Sequence, residues 1–523
     1  MNFLRDNILK NLYYLNYLLI FSFFLFSIYV IRYQYDGHHI GLIYSNALDL
    51  INGKLPYKEI FIQYGFLTTL IHSIILLIFD NKVFFISLFN IIFYSSSIFL
   101  ISKTVNNLVS KNYSIIATII ILFNHPIPWL PWSNYLSFFF ISISLFLLSK
   151  NNRYFFLISF FLSLAILSRQ DFFIPIVFSF LIFCIYYLIN NKKIIFKKFF
   201  EIISGFFIPM IIFLLYLIEN NIFQYWFKYL VIPKYYLNIY EISLIDLINK
   251  YVIFFSFEAF FNFIYFPQYF IISIILIFNT ILIFLIIFKK IKIPNHIFII
   301  VLFSCLFSAL GLKIELFRLY TSVIFGLIPL LYFFNKITNK DLRKNLNLLI
   351  ILPSIFSFIF FPMGNNEQFK KINFNNDNEK IISNKFDYYI WPKLKVNSIN
   401  ILSDLLNKCD VKYIDNLTFD TLLSTVGNFD RIRLLPYQKD QGKNSEFHLY
   451  IDSIKNVDFN FIELINKQIK LENIILLINE NNDIYKDKKI NISSSYSVIK
   501  INESDAIGKP KILRIYLPSK CLD

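Results

Sequence analysis

Apolar runs recur from Leu12 to Phe361, separated by short polar loops. Many approach the roughly 20 residues that a helix needs to cross a bilayer. Allowing lengths of about 17–25 residues and some tilt, the pattern predicts about eleven spanning helices. They fall near 13–31, 83–102, 113–127, 134–149, 154–168, 172–190, 200–218, 268–288, 296–311, 319–334 and 346–361. Lipid offers no partner to open backbone groups, so spanning segments are helices or closed barrels. The period-two alternation of a membrane β-barrel is not visible. The expected fold is an all-α polytopic membrane protein.

Two stretches break the pattern. In residues 40–52, Ile40, Ile43, Ala47, Leu50 and Ile51 recur at helical spacing, with Ser45, Asn46, Asp49 and Asn52 on the other side. This predicts an amphipathic helix at the membrane surface, its polar side wet. Gly53 and Pro56 follow as stop signals. Phe66 to Phe79 reads as a helix lying at, or dipping into, the same face. After Pro362 the chain turns polar. Residues 362–382 read as a linker. Residues 383–523 mix helical patterns (398–407, 459–469) with strand-like runs (474–478, 497–501, 512–517), as a small α/β domain would.

Charge fixes the orientation. The basic loops are Arg5/Lys10, Lys103/Lys111, Lys150/Arg153, Lys192 to Lys198, Lys289 to Lys292, and Lys336 to Lys344. By the positive-inside rule they face the cytoplasm. The net charge of +16 is then a matter of topology and does not point to nucleic acid. Loops 32–82, 124–134, 168–172, 219–268 and 311–318 face out. An odd span count puts 383–523 outside as well. The amino terminus reads as a retained first helix, because no small-residue cleavage site follows it. Composition agrees: 57% of residues are hydrophobic and mean hydropathy is +0.58. Cys184 and Cys305 fall inside spans as packing residues. Cys409 and Cys521 lie in the outer domain, where they form either a disulfide or two free thiols. No Cys/His spacing spells a zinc site.

Polar chemistry gathers after the first span, in "YDGHHIGLIYSNALDLINGKLPYKEIFIQYGFLTTLIHSIILLIFD". Asp36-Gly37 follows helix one, Gly53 to Pro56-Tyr57 closes the next helix, and Gln63-Tyr64-Gly65 leads into an apolar run. Two further stretches are "SLAILSRQDFFIPIVF" and "KIELFRLYTSVIFGLIPLL". With many spans and a carboxy-terminal outer domain, this chain resembles the GT-C class of integral membrane glycosyltransferases, the branch that holds protein O-mannosyltransferases and lipid A sugar transferases. Phe66 stands where that family has Pro. The resemblance covers most of residues 1–360. It implies a polyprenyl-phosphate-linked sugar as donor, inversion at the anomeric carbon, and chemistry at the outer face of a bacterial inner membrane. Residues 1–361 would form the transferase domain and the outer domain would be the variable part.

The chemistry itself sets requirements. A carboxylate must take the acceptor's proton, and cations or a divalent metal must stabilise the leaving phosphate. Asp36, at the mouth of helix one, suits the first role, though a plain helix-end turn with Gly37 is its bland counterpart. Arg169 and Arg318 suit the second, Arg matching phosphate oxygens well. Arg169 could instead pair with Asp171, and Arg318 with Glu315 at i, i+3. His38 and His39 read as substrate-orienting or as interfacial polar groups; Gln63 and Tyr64 read as substrate contacts or packing. Asp49 reads as the wet side of its helix, and Trp129/Trp132 as interface anchors. The partners implied are the lipid-linked donor, a lipid, glycan or protein acceptor, and the bilayer. The competing classes are a transporter or flippase of lipid-linked sugars, an O-antigen polymerase or ligase, and a non-catalytic scaffold. Repeat symmetry of the transporter kind is not visible.

Overall fold

The computed structural model describes residues 2–37, 39–60, 62, 65–124, 133–150, 154–190, 196–230, 267–288, 290–308, 323–360, 378–380, 384–416, 418, 420–427, 429–431, 461–479, 492–504 and 510–522. The amino-terminal two thirds are helical: α1 (Asn2–Ile31), α2 (His39–Ile51), α3 (Phe66–Ile78), α4 (Phe84–Leu108), α5 (Lys111–Phe123), α6 (Ser133–Ser149), α7 (Phe155–Ser168), α8 (Phe173–Asn190), α9 (Phe196–Glu219) and α10 (Phe223–Leu230), then α11 (Pro267–Ile287), α12 (Asn295–Ser308), α13 (Leu327–Lys336) and α14 (Lys340–Phe360). Each of the eleven stretches expected to span is helical over its described residues, apart from single end residues such as Val83, Asn124, Tyr154 and Phe288. By length and composition, four helices among the described residues are long and apolar enough to cross a membrane: Tyr14–Ile31, Phe84–Leu108, Lys198–Glu219 and Phe270–Ile287. The helix α3 has 13 residues, about 20 Å of rise, well short of a roughly 30 Å hydrocarbon core.

The bundle is held by apolar packing laced with small polar links. Asn124 donates to Ser354 Oγ at 2.8 Å, joining α5 to α14. Asn279 of α11 donates to Gly326 O at 3.0 Å, just before α13. Such bonds satisfy polar groups where water is excluded.

The carboxy-terminal region carries a mixed five-stranded sheet of β3 (Tyr413–Asn416), β4 (Asp430–Arg431), β5 (Ile474–Asn479), β6 (Tyr496–Ser504) and β7 (Pro510–Pro518), in the order β4-β3-β5-β7-β6. A short ribbon, β1 (Asn378–Lys380) with β2 (Ile390–Pro392), precedes it. The strand β5 reads IILLIN because it is covered on both faces. Ile474, Leu476 and Ile478 pack with Ile465 and Ile469 of α16 (Phe461–Lys470). Ile475 and Leu477 join the core that includes Val396, Ile399 and Leu402 of α15 (Lys393–Asn407). Cys409 and Cys521 form a disulfide, Cα–Cα 4.7 Å, tying the end of α15 to the end of the chain.

One expectation fails. Only Asn52 of the polar side is exposed: Ser45, Asn46 and Asp49 are buried, while Ile43, Leu48 and Leu50 are half-exposed. The cause is the company that α2 keeps. It packs between α3 and the 3-10 turn Thr421–Thr425 of the carboxy-terminal region, so its polar face meets protein. Asp49 is accordingly paired with Lys54 at 3.0 Å.

Candidate functional site

The site is built where α1 ends and α2 begins. The break at Tyr33 to Gly37 turns the chain, and Asp36 restarts it as a helix. Asp36 Oδ1 accepts from the His39 backbone N–H at 2.9 Å, and its carbonyl accepts from Ile40 at 3.1 Å. A carboxylate here satisfies an amide that the helix cannot. Its other oxygen, Oδ2, lies 2.9 Å from His39 Nδ1. The Asp36 side chain is fully buried, whereas that of His39 is 25% exposed. Asp36 thus caps the start of α2 and holds the His39 ring.

The carboxy-terminal region closes over this corner. Tyr35 donates its hydroxyl to Asp420 Oδ2. Lys395, almost wholly buried, donates to the same oxygen at 2.9 Å and stands 4.8 Å from the Tyr35 ring centroid. Asp420 Oδ1 accepts from Leu422 N–H at 3.1 Å, and Leu422 N–H also approaches Gly37 O at 3.2 Å. Gly37 lies against the Asp420 carboxylate so closely that a Cβ there would displace it from its bonds. Trp391 donates its indole N–H to Gln34 O at 3.0 Å, and Ile390 N–H donates to Arg32 O at 2.7 Å. Lys385, held below its ordinary value by burial, donates to Thr425 O at 3.1 Å. Every residue from Arg32 to Gly37 except Tyr33 thus meets residues 388–422 or begins α2.

A second group forms at the other sequence motif. The helix α3 packs on α2 and also on α7. At its start, a Cβ on Gly65 would meet Leu167 O at 2.4 Å and Ser168 O at 2.5 Å. Thr68 donates to Ser168 O at 2.9 Å. Arg169 follows immediately, its side chain buried and its guanidinium 5.5 Å from the centroid of Phe172. So the structure joins Gly65 and the start of α3 to the Ser168-Arg169 turn, which sequence alone left apart. Asp171 lies in the next turn, Gln170–Phe172; its side chain is outside the described residues, as are His38, Gln63, Tyr64, Glu315 and Arg318. Among the described residues no three His, Cys, Asp or Glu side chains gather as a metal site.

Sequence reasoning missed Tyr35, Trp391, Lys395 and Asp420. No short-range signal marks them, since Tyr35 and Asp420 stand 385 positions apart.

The bundle with its carboxy-terminal cover has the fold of the GT-C class of integral membrane glycosyltransferases. It is similar to the crystal structure of ArnT from Cupriavidus metallidurans bound to undecaprenyl phosphate, over 96% of this chain and 97% of that one, with a TM-score of 0.54 and 10% identity. No protein-family model matches the sequence, and no curated protein does.

Proposed function

We propose that the chain is a bacterial inner-membrane glycosyltransferase. It moves a sugar from a polyprenyl-phosphate donor to a lipid, glycan or protein acceptor at the outer face, with inversion. The observation that carries this reading is the likeness of fold over nearly the whole chain to a structure that holds undecaprenyl phosphate. In this reading eleven helices span, the amino terminus is cytoplasmic, and residues 1–361 form the transferase domain. Residues 362–382 are a linker to an extracytoplasmic domain of 383–523. The Cys409–Cys521 disulfide supports that placement, since such bonds persist on the oxidising side of the membrane.

Asp36 is the carboxylate that draws off the acceptor's proton. Arg169, with Arg318, holds the donor phosphate through charge-assisted bonds. A divalent metal is the other means of neutralising that phosphate. His38, His39, Gln63, Tyr64, Asp171 and Glu315 are the substrate-binding residues of this reading.

The test is Asp36→Asn. Asn keeps an acceptor oxygen for the His39 amide, so the turn and expression survive. Release of polyprenyl phosphate from a panel of undecaprenyl-phosphate hexoses and pentoses, in membranes that contain the acceptor, is expected to vanish. Full turnover by the variant would remove Asp36 from the chemistry, and transbilayer movement of donor without phosphate release would replace the transferase with a flippase.

A further inference from the structure

We infer that Asp420 of the carboxy-terminal region is a positioning residue for Asp36, which makes that region part of the catalytic unit. The inference deepens the glycosyltransferase reading and rests on the role given there to Asp36.

Asp36 has two chain neighbours, and Asp420 holds both. Tyr35 donates its hydroxyl to Asp420 Oδ2. Gly37 O accepts from Leu422 N–H at 3.2 Å, and the same N–H meets Asp420 Oδ1 at 3.1 Å. Gly37 itself lies against that carboxylate. One contact runs through a side chain and the other through the backbone, so the chain is held on each side of Asp36. Asp36 then starts α2 by accepting the His39 amide at 2.9 Å. A shift of Asp420 is therefore passed to the Asp36 carboxylate from both directions along the chain.

Asp420 is fixed in its turn. Lys395 donates to Oδ2 at 2.9 Å from a side chain that is 1% exposed. Asp420 O accepts from Asn416 at 2.8 Å and from the Thr418 hydroxyl at 3.1 Å. Trp391 stands edge-on to the Tyr35 ring, 4.8 Å between centroids. The cover is pinned at a second point, the turn between α3 and α4. There Val83 N–H donates to Lys385 O at 3.1 Å, and Lys82 pairs with Asp387 at 3.1 Å. The helix α3 starts against Ser168, so the cover ties the corner of Asp36 to the helix that meets the Ser168-Arg169 turn. A general base works only within hydrogen-bond reach of the proton it takes, and misplacement by about 1 Å costs about 10²-fold. The group that sets the position of Asp36 therefore acts on kcat.

Four variants of the purified full-length enzyme, assayed with donor and acceptor well below their melting temperatures, test this. Tyr35→Phe removes one hydroxyl and keeps the ring against Trp391; it is expected to lower kcat about tenfold, as for one bond to a charged group. Asp420→Ala removes both contacts and is expected to lower kcat about 10²-fold, with KM for the donor little changed in either variant. Asp420→Asn keeps an oxygen for Leu422 N–H and a polar partner for the Tyr35 hydroxyl. It is expected to recover most of kcat even though Lys395 loses its counter-charge and stability falls. Cys409→Ser, which weakens the same region away from the corner, is expected to keep kcat. Deuterium exchange in peptides covering residues 33–44 should quicken in Asp420→Ala and not in Cys409→Ser. Wild-type kcat in both Tyr35→Phe and Asp420→Ala, a rise in donor KM in place of the fall in kcat, or an equal fall in Cys409→Ser overturns the inference. Should Asp420→Ala fail to fold, Tyr35→Phe decides. Those results leave the transferase reading standing as long as Asp36→Asn is inactive. Full turnover by Asp36→Asn, or no phosphate release by the wild type from any donor, removes the role of Asp36 and this inference with it.

Discussion

Lys395→Met probes the joint that covers the site. Met preserves the apolar stem and removes the ammonium, which donates to Asp420 Oδ2 at 2.9 Å from an almost fully buried position. Taking one partner from a buried pair costs about 3–5 kcal/mol, because the other charge stays behind. Asp420 keeps the Leu422 amide and the Tyr35 hydroxyl, which places the cost near the lower end, about 3 kcal/mol. At tenfold per 1.4 kcal/mol, that is roughly a hundredfold in the equilibrium between folded and opened joint. With about 2–4 °C lost per kcal/mol in a region of this size, the melting temperature should fall by about 6–12 °C. The assay is thermal unfolding of detergent-purified protein followed by tryptophan fluorescence, to which Trp391, buried in the joint, contributes. Combining Lys395→Met with Asp420→Asn removes the stranded charge and should recover at least half of the loss. A melting temperature within 1 °C of wild type for the single variant, or a double variant that loses the sum of both singles, would refute the view that this pair holds the cover in place.

Gly65→Ala places a methyl group against Leu167 O and Ser168 O, backbone atoms that cannot swing aside. Overpacking of this kind costs about 1–3 kcal/mol, and because Arg169 adjoins the displaced turn, KM for the donor should rise together with the loss of stability; an unchanged melting temperature would show that the two turns are not in close contact. Cys409→Ser or Cys521→Ser opens a link across 112 positions, worth about 4–5 kcal/mol in the chain-entropy limit, and should lower thermal stability and abolish the mobility difference between reduced and unreduced gels. Maleimide labelling of both cysteines in the untreated wild type would contradict the disulfide.

The helical bundle was legible because run length and basic loops are local signals. So were α15, α16 and β5 to β7, whose periodicity switches cleanly between helix and strand. The environment of α2 was not. Its amphipathic pattern says only that two faces differ, and Ser45, Asn46 and Asp49 are as suited to a polar protein interface as to water. What decides between them is the turn at Thr421–Thr425, far along the chain. Asp36 could be picked out by its position after a span, but its pairing with His39 depends on a helix start that only coordinates show. Lys395 and Asp420 carry no local mark at all, lying in ordinary polar sequence. The meeting of Gly65 with Ser168 is likewise a tertiary fact, although glycine directly before an apolar helix is the type of residue such a close approach requires.

The covering of the first turn by residues 388–422 has a consequence for biosynthesis. Tyr35 emerges from the ribosome 385 residues ahead of the Asp420 that receives its hydroxyl. At roughly 5–20 residues per second, that interval lasts about 20–80 s. Throughout it the first helices can insert into lipid, yet the corner bearing Asp36 and His39 has no roof. A chain halted between Phe360 and Asp420 would carry every helix of the bundle and still leave this corner uncovered, so the corner is completed only late in translation.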